Sequence, residues 1–155
     1  MKALEKRVMR TIKFRAKRDN KFIDDWIYGY YLYMKDQEKH YILTGDVSSY
    51  PVDMWHPHLA VKGFEWVEVD GNTVTQFTGV YDKNNVEIYE GDIVRYKNHK
   101  FDRVYVVRYQ QEFCQFSISS NIGLETEQNL YILENSNKDY EVIGNIYDNK
   151  ELLEK

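Results

Sequence analysis

From Arg10 the chain alternates. Ile12, Phe14 and Ala16 point one way and Thr11, Lys13 and Arg15 the other, the period of two that marks a half-buried strand. Asp19-Asn20 then reads as a turn. A second strand over residues 26–34 (Trp-Ile-Tyr-Gly-Tyr-Tyr-Leu-Tyr-Met) is apolar on both faces, so it is central or covered. Gly29 within it predicts a bulge or a close backbone approach. A polar turn at 35–39 leads to a third strand at 40–44, which makes a hairpin with the second.

Residues 45–63 carry Pro51 and Pro57, which forbid a long helix or a central strand; a long ordered loop is expected. Another strand follows at 64–69, closed by Asp70-Gly71-Asn72. From Thr73 onward short apolar runs are divided by tight turns at 82–85, 90–92 and 97–100. The runs at 75–80, 93–96, 103–110, 115–119, 130–133 and 141–147 are the candidate strands. Turn signals at such close spacing argue for a sandwich or barrel. Helix is scarce: residues 1–8 have helix-friendly composition, and Asp148-Asn149 is placed to cap a short final helix at 150–154.

Composition supports a mainly β chain. Its 155 residues include 14 Tyr, 7 Phe and 3 Trp but only 2 Pro and 8 Gly, and aromatic residues favour a pleated, half-buried surface. That length supplies a proper core without a metal or disulfide staple, and Cys114, being alone, forms no internal disulfide. No apolar h-region follows the basic N-terminus and no run is long enough to span a bilayer. A cytoplasmic setting with no membrane contact is therefore expected.

The net charge of −4 is unevenly spread. Residues 1–18 hold eight basic residues against one acidic, a balance of +7, while the remainder holds 13 basic against 24 acidic, a balance of −11. A basic edge on an acidic body can meet a phosphate backbone. The preferred reading is plainer: Lys and Arg guard an edge strand against unwanted pairing.

Three stretches together resemble the YopX-like family of phage and prophage proteins. They are Met9-Arg10-Thr11-Ile12-Lys13-Phe14-Arg15-Ala16, the run from Gln76 through Thr78-Gly79-Val80-Tyr81-Asp82-Lys83-Asn84-Asn85 to Glu90-Gly91-Asp92-Ile93-Val94, and Tyr140-Glu141-Val142-Ile143-Gly144-Asn145-Ile146-Tyr147-Asp148-Asn149. The middle stretch is the most specific. The resemblance implies one domain over residues 1–155, with barrel-like lobes of short antiparallel strands near 9–70 and 71–148. It also implies an origin in a bacterial mobile element. It implies no activity, since the family has no established biochemical role, and it makes residues 1–8 an extension. Glu90-Gly91-Asp92-Ile93-Val94 resembles the start of a strand in small SH3-like barrels, so such a barrel is expected in the C-terminal half.

Candidate chemistry is thin. Asp82, Glu87, Glu90 and Asp92 suggest a cation site or an acid/base pair, but lack metal-loop spacing and read better as turn caps. His56 and His58, flanking Pro57, lack further ligands nearby. Cys114 reads as a core thiol, and the serines have no nucleophile-elbow context. We expect no catalytic residue, cofactor or metal.

The aromatic residues allow three roles. Core packing ranks first. A protein interface built on Trp26, Tyr28, Tyr31, Trp55 and Trp66 ranks second, with a host or phage protein or a second copy as partner. Third comes single-stranded nucleic acid stacked on tyrosines beside Arg10, Lys13, Arg15, Lys17 and Arg18. The expected function is a non-enzymatic protein-interaction module; the alternative is a nucleic-acid-binding accessory protein using the basic strand.

Overall fold

The computed structural model describes residues 11–20, 22–45, 65–119, 131–132 and 140–154. The expected loop beyond Gly45, the extension 1–8, Arg10, Trp55, His56 and His58 lie outside the described residues. Eleven antiparallel strands are described: β1 (Phe14–Lys17), β2 (Trp26–Met34), β3 (Lys39–Thr44), β4 (Glu65–Val69), β5 (Thr75–Tyr81), β6 (Glu87–Tyr89), β7 (Asp92–Lys97), β8 (Asp102–Gln110), β9 (Gln115–Ser119), β10 (Tyr131–Ile132) and β11 (Tyr140–Asn145). They form two sheets, ordered β4-β3-β2-β1-β5-β6 and β10-β9-β8-β7-β11. The chain is mainly β, as its alternation predicts.

The SH3-like barrel expected in the C-terminal half is not formed by the described strands. β10 and β11 stand at opposite edges of an open sheet. The first sheet curls instead. Arg18, just past β1, bridges to Val69 at the end of β4. The Asp70 N–H donates to the Lys17 carbonyl at 2.9 Å, and the Asp19 N–H to the Glu68 carbonyl at 3.1 Å.

This curl wraps a concave face around Ala16, Ile27, Ile42, Val67 and Val69, with Phe14, Tyr31 and Val74 packed against them. These are side chains of one parity: Ala16 lies opposite Ile27 and Ile42 opposite Val67. Fully burying such a side chain contributes about 1.5–3 kcal/mol. The curvature depends on Gly29, which sits in register opposite Phe14 without a bulge. A Cβ there would strike the Leu43 carbonyl and the Ile42 side chain, so the close approach is real and excludes a larger residue.

A second core forms where the β5–β6 hairpin lies on the other sheet. Ile88, Val94, Tyr105, Val107 and Ile118 are buried there, with Val80, Tyr96, Tyr140 and Val142 around them. Sheet membership thus changes between β6 and β7, at Glu90-Gly91, well past residue 70 where the lobes divide in the sequence reading. Gly91 has φ of +77°, a left-handed conformation natural to glycine, and this reverses the chain into β7.

Polar side chains fasten the two sheets. Asp82 is buried. Its Oδ1 accepts from the Asn84 and Val86 N–H groups at 2.7 and 2.9 Å, and its Oδ2 accepts from the Val142 N–H at 3.0 Å. Arg15 of β1 reaches Asp92 of β7; the two are 7% and 1% exposed. The Arg15 guanidinium lies 4.6 Å from both the Trp26 and Tyr89 ring centroids, and its Nε donates to the Thr75 hydroxyl at 3.3 Å. The other Asp92 oxygen accepts from the Tyr89 N–H at 2.7 Å. Burial pushes the Asp92 carboxyl above its usual range, against the pull of Arg15.

After β11 the chain turns at 146–148 and packs on β2. Tyr147 meets Trp26 edge-on at 5.7 Å, and the Trp26 indole donates to Asp148 at 2.9 Å. The final helix is a single 3-10 turn, Lys150–Leu153. Asn149 does not cap it; its side chain folds back to accept from the Asn145 N–H at 3.3 Å. Cys114 corrects a second expectation. It is exposed, in the β8–β9 connection with φ of 50°, because the chain needs a left-handed residue there after the 3-10 turn Gln111–Phe113.

Two predictions follow from these fastenings. Asp92→Ala strands a buried guanidinium and is expected to destabilise the fold by about 3–5 kcal/mol, read as a fall in urea midpoint. Replacing both partners, Arg15→Met with Asp92→Leu, is expected to recover most of that loss; no recovery would refute the account. The second concerns pH. Burial raises the Asp148 pKa, but hydrogen bonds from Lys17, Asn145 and Trp26 outweigh it and hold the carboxyl below its usual value. Its stabilising contribution is therefore present above about pH 3.9, the unfolded value, and is lost as pH falls through the depressed folded value. The indole N–H resonance of Trp26 should shift with a midpoint below about 3.9; a midpoint at or above that value would contradict the structure.

Candidate functional site

The basic strand is the first site to place. Among its described members every cation meets an acid. Lys13 pairs with Glu87, Arg15 with Asp92, Lys17 with Asp24 and Asp148, and Arg18 with Asp25. Hydrogen bonds to Asp148 and Asp24 raise the Lys17 pKa, which keeps it charged and occupied. The strand is central in its sheet, between β2 and β5, so guarding an exposed edge is not its task. Its positive charge is spent inside the molecule.

Three of the four acidic candidates, Asp82, Glu87 and Asp92, are spent in the same way. Asp82 holds three backbone N–H groups. Asp92 holds Arg15 and the Tyr89 N–H. Glu87 accepts from the Tyr89 hydroxyl at 2.9 Å while pairing with Lys13. Burial, then the Glu87 hydrogen bond, pushes the Tyr89 phenol far above its usual range, so it stays a neutral donor. Among the described residues no group of three or more His, Cys, Asp or Glu side chains is arranged to hold a metal ion, and no helix is long and apolar enough to cross a membrane. His40 lies on the concave side, stacked on Tyr31, with its Nδ1 2.7 Å from the Tyr31 hydroxyl.

The proposed interface residues divide. Tyr28 and Trp66 lie on the convex face of the curled sheet, 48% and 47% exposed. Trp26 shares that face but is covered by Arg15, Lys17 and the C-terminal turn. Tyr31 belongs to the concave core, packed on Phe14 at 5.6 Å.

The strand register adds residues that sequence reading passed over. Tyr30 lies opposite Leu43, and Leu32 opposite Tyr41; Leu43 in turn lies opposite Trp66. Tyr30 is 54% exposed, and Tyr41 meets Trp66 edge-on at 6.0 Å. Tyr28, Tyr30, Leu32, Tyr41, Leu43 and Trp66 therefore form one contiguous apolar and aromatic surface. Its charged members, Lys39 and Glu68, bond to each other at 2.8 Å. The signal was present in the spacing of 28, 30 and 32, but only the pairing shows that these positions face outward.

A solved structure, that of protein EF1440 from Enterococcus faecalis, aligns with 94% of this chain and 99% of its own at 23% identity and a TM-score of 0.49. No curated protein matches the sequence. The family described as YopX protein matches residues 13–154. That span runs from the strand carrying Arg15 to the turn carrying Asp148, nearly the whole chain, and the protein belongs to the YopX family.

Proposed function

We propose that this protein is a non-enzymatic interaction module of phage or prophage origin, working in the bacterial cytoplasm, and that its convex aromatic face binds a second copy of the chain. The exposed surface built on Tyr28, Tyr30 and Trp66 carries the proposal. Tyr and Trp side chains bury about 150–250 Å² each, so three that are half exposed present about 225–375 Å². With Leu32, Tyr41 and Leu43 the patch reaches the upper range for monomeric proteins, about 300–600 Å². A standard interface takes about 800 Å² from each partner, and this patch is the right size for its apolar centre.

Charge favours a second copy over other occupants. The chain carries a net −4, so most of its surface repels its own kind. Among the described residues the aromatic part of the convex face carries the compensated Lys39–Glu68 pair, and Arg15 and Lys17 beside it are paired with acids, so two such faces meet with little like-charge repulsion. Among the described residues a nucleic acid finds no unpaired cation on the aromatic part of this face, and the described cations of the basic strand are already paired.

Sedimentation equilibrium across micromolar concentrations tests the proposal. The wild type is expected to dimerise, and Tyr30→Lys with Trp66→Lys is expected to give a monomer of unchanged melting temperature. A wild type that remains monomeric throughout would overturn self-association. A dimer unaffected by both substitutions would remove the face from the account.

A further inference from the structure

A cluster of positive charge that is only partly compensated lies at the tip of the β7–β8 hairpin, far in sequence from the basic N-terminus. Residues 95–103 hold Arg95, Lys97, Lys100 and Arg103 against Asp102 alone, a balance of +3 in a chain of net −4. Asp102 is taken by Arg95 through hydrogen bonds of 2.6 and 2.5 Å, with Lys97 at 3.6 Å. Lys100 and Arg103 make no ion pair among the described residues, and both are exposed.

An aromatic ring sits between them. Phe101 is 49% exposed, and the Arg103 guanidinium lies 5.2 Å from its ring centroid. An exposed aromatic ring and a planar guanidinium are the two surfaces on which an unpaired base stacks, and cations beside them meet the phosphates.

The tip is held in shape before any ligand arrives. The Asn98 side-chain oxygen accepts from the N–H groups of Lys100 and Phe101, both at 2.8 Å. The Asn98 N–H donates to the Phe101 carbonyl at 2.8 Å, and the Asn98 amide donates to the Tyr96 hydroxyl at 2.8 Å. One side chain thus anchors the loop to the second core and fixes Lys100 and Phe101 outward. A preformed loop loses less entropy on binding than one that must order itself.

We infer that the β7–β8 hairpin tip is a contact site for single-stranded nucleic acid, with Lys100 and Arg103 on phosphates and Phe101 under a base. This site is separate from the convex face and from the basic strand. Because few cations are involved and the body of the protein is acidic, binding is weak and strongly dependent on salt.

Fluorescence anisotropy with a labelled single-stranded oligonucleotide at low ionic strength tests the inference. Lys100→Glu with Arg103→Glu is expected to abolish binding. The milder pair Lys100→Gln and Arg103→Gln should flatten the slope of log affinity against log salt by about 1.4, at about 0.7 per single-strand phosphate released. Phe101→Ser is expected to weaken binding about five-fold or more while leaving that slope unchanged, and Phe101→Trp to preserve it. These positions are exposed, so the variants should keep the wild-type melting temperature. No binding by the wild type, or binding indifferent to the charge-reversed pair, overturns the inference. Equal affinity for duplex or for anionic vesicles also overturns it, because neither offers an unpaired base.

Discussion

The fold turns on a guanidinium held out of water. Arg15 stands on the outer side of β1, where a residue would ordinarily meet solvent, yet it is almost wholly enclosed. Removing a charge from water costs several kcal/mol, and a buried pair is weak evidence of net stability by itself. Here the cost is offset by several partners: Asp92 at Nη2, Thr75 at Nε, and the Trp26 and Tyr89 rings, each with its centroid 4.6 Å from the guanidinium. The partners come from β2, β5, β6 and β7, so the arrangement is satisfied only when both sheets are in place. Its chief effect is on registration. Any other docking of β7 against β1 leaves two buried charges unpaired, which is far worse than losing a few apolar contacts.

That dependence explains which features were legible in the chain. Strands such as β2, β3, β8 and β9 announce themselves because alternation and turn chemistry are local. β6 did not, since Glu87-Ile88-Tyr89 offers one interior residue and is too short for a period to show. Cys114 was misread for a related reason: its setting is fixed by a left-handed turn, and composition around it resembles a strand. The positive N-terminal strand was the most misleading feature. Lys13 and Arg15 find acids 74 and 77 positions away, and no local pattern shows such pairing. A count of charge along the sequence therefore does not show that the described cations Lys13, Arg15, Lys17 and Arg18 are already paired.

The same logic accounts for the carboxylates of Asp82, Asp92 and Glu87. A general acid or a metal ligand must keep an oxygen free for substrate or ion. Asp82 and Asp92 direct both oxygens at N–H donors within the protein. Glu87 is divided between Lys13 and Tyr89. The middle motif, the most specific part of the family resemblance, is thus accounted for by the junction it builds. Gly91 turns the chain, Asp92 receives Arg15, and Asp82 ties the hairpin turn to β11.

The strand β2 shows how one ribbon serves two ends. Its inward parity, Ile27, Gly29 and Tyr31, lines the concave core, and Gly29 allows the curl that encloses it. Its outward parity begins under the C-terminal turn at Trp26 and emerges at Tyr28 and Tyr30. Curling the sheet inward spreads the outer side chains apart, and Tyr28 and Tyr30 remain about half exposed. A sequence under pressure only for solubility would place Lys, Glu or Thr at positions 28, 30 and 66. Aromatic residues there add nothing to the concave core, and this unexplained exposure is the feature on which the proposed self-association rests.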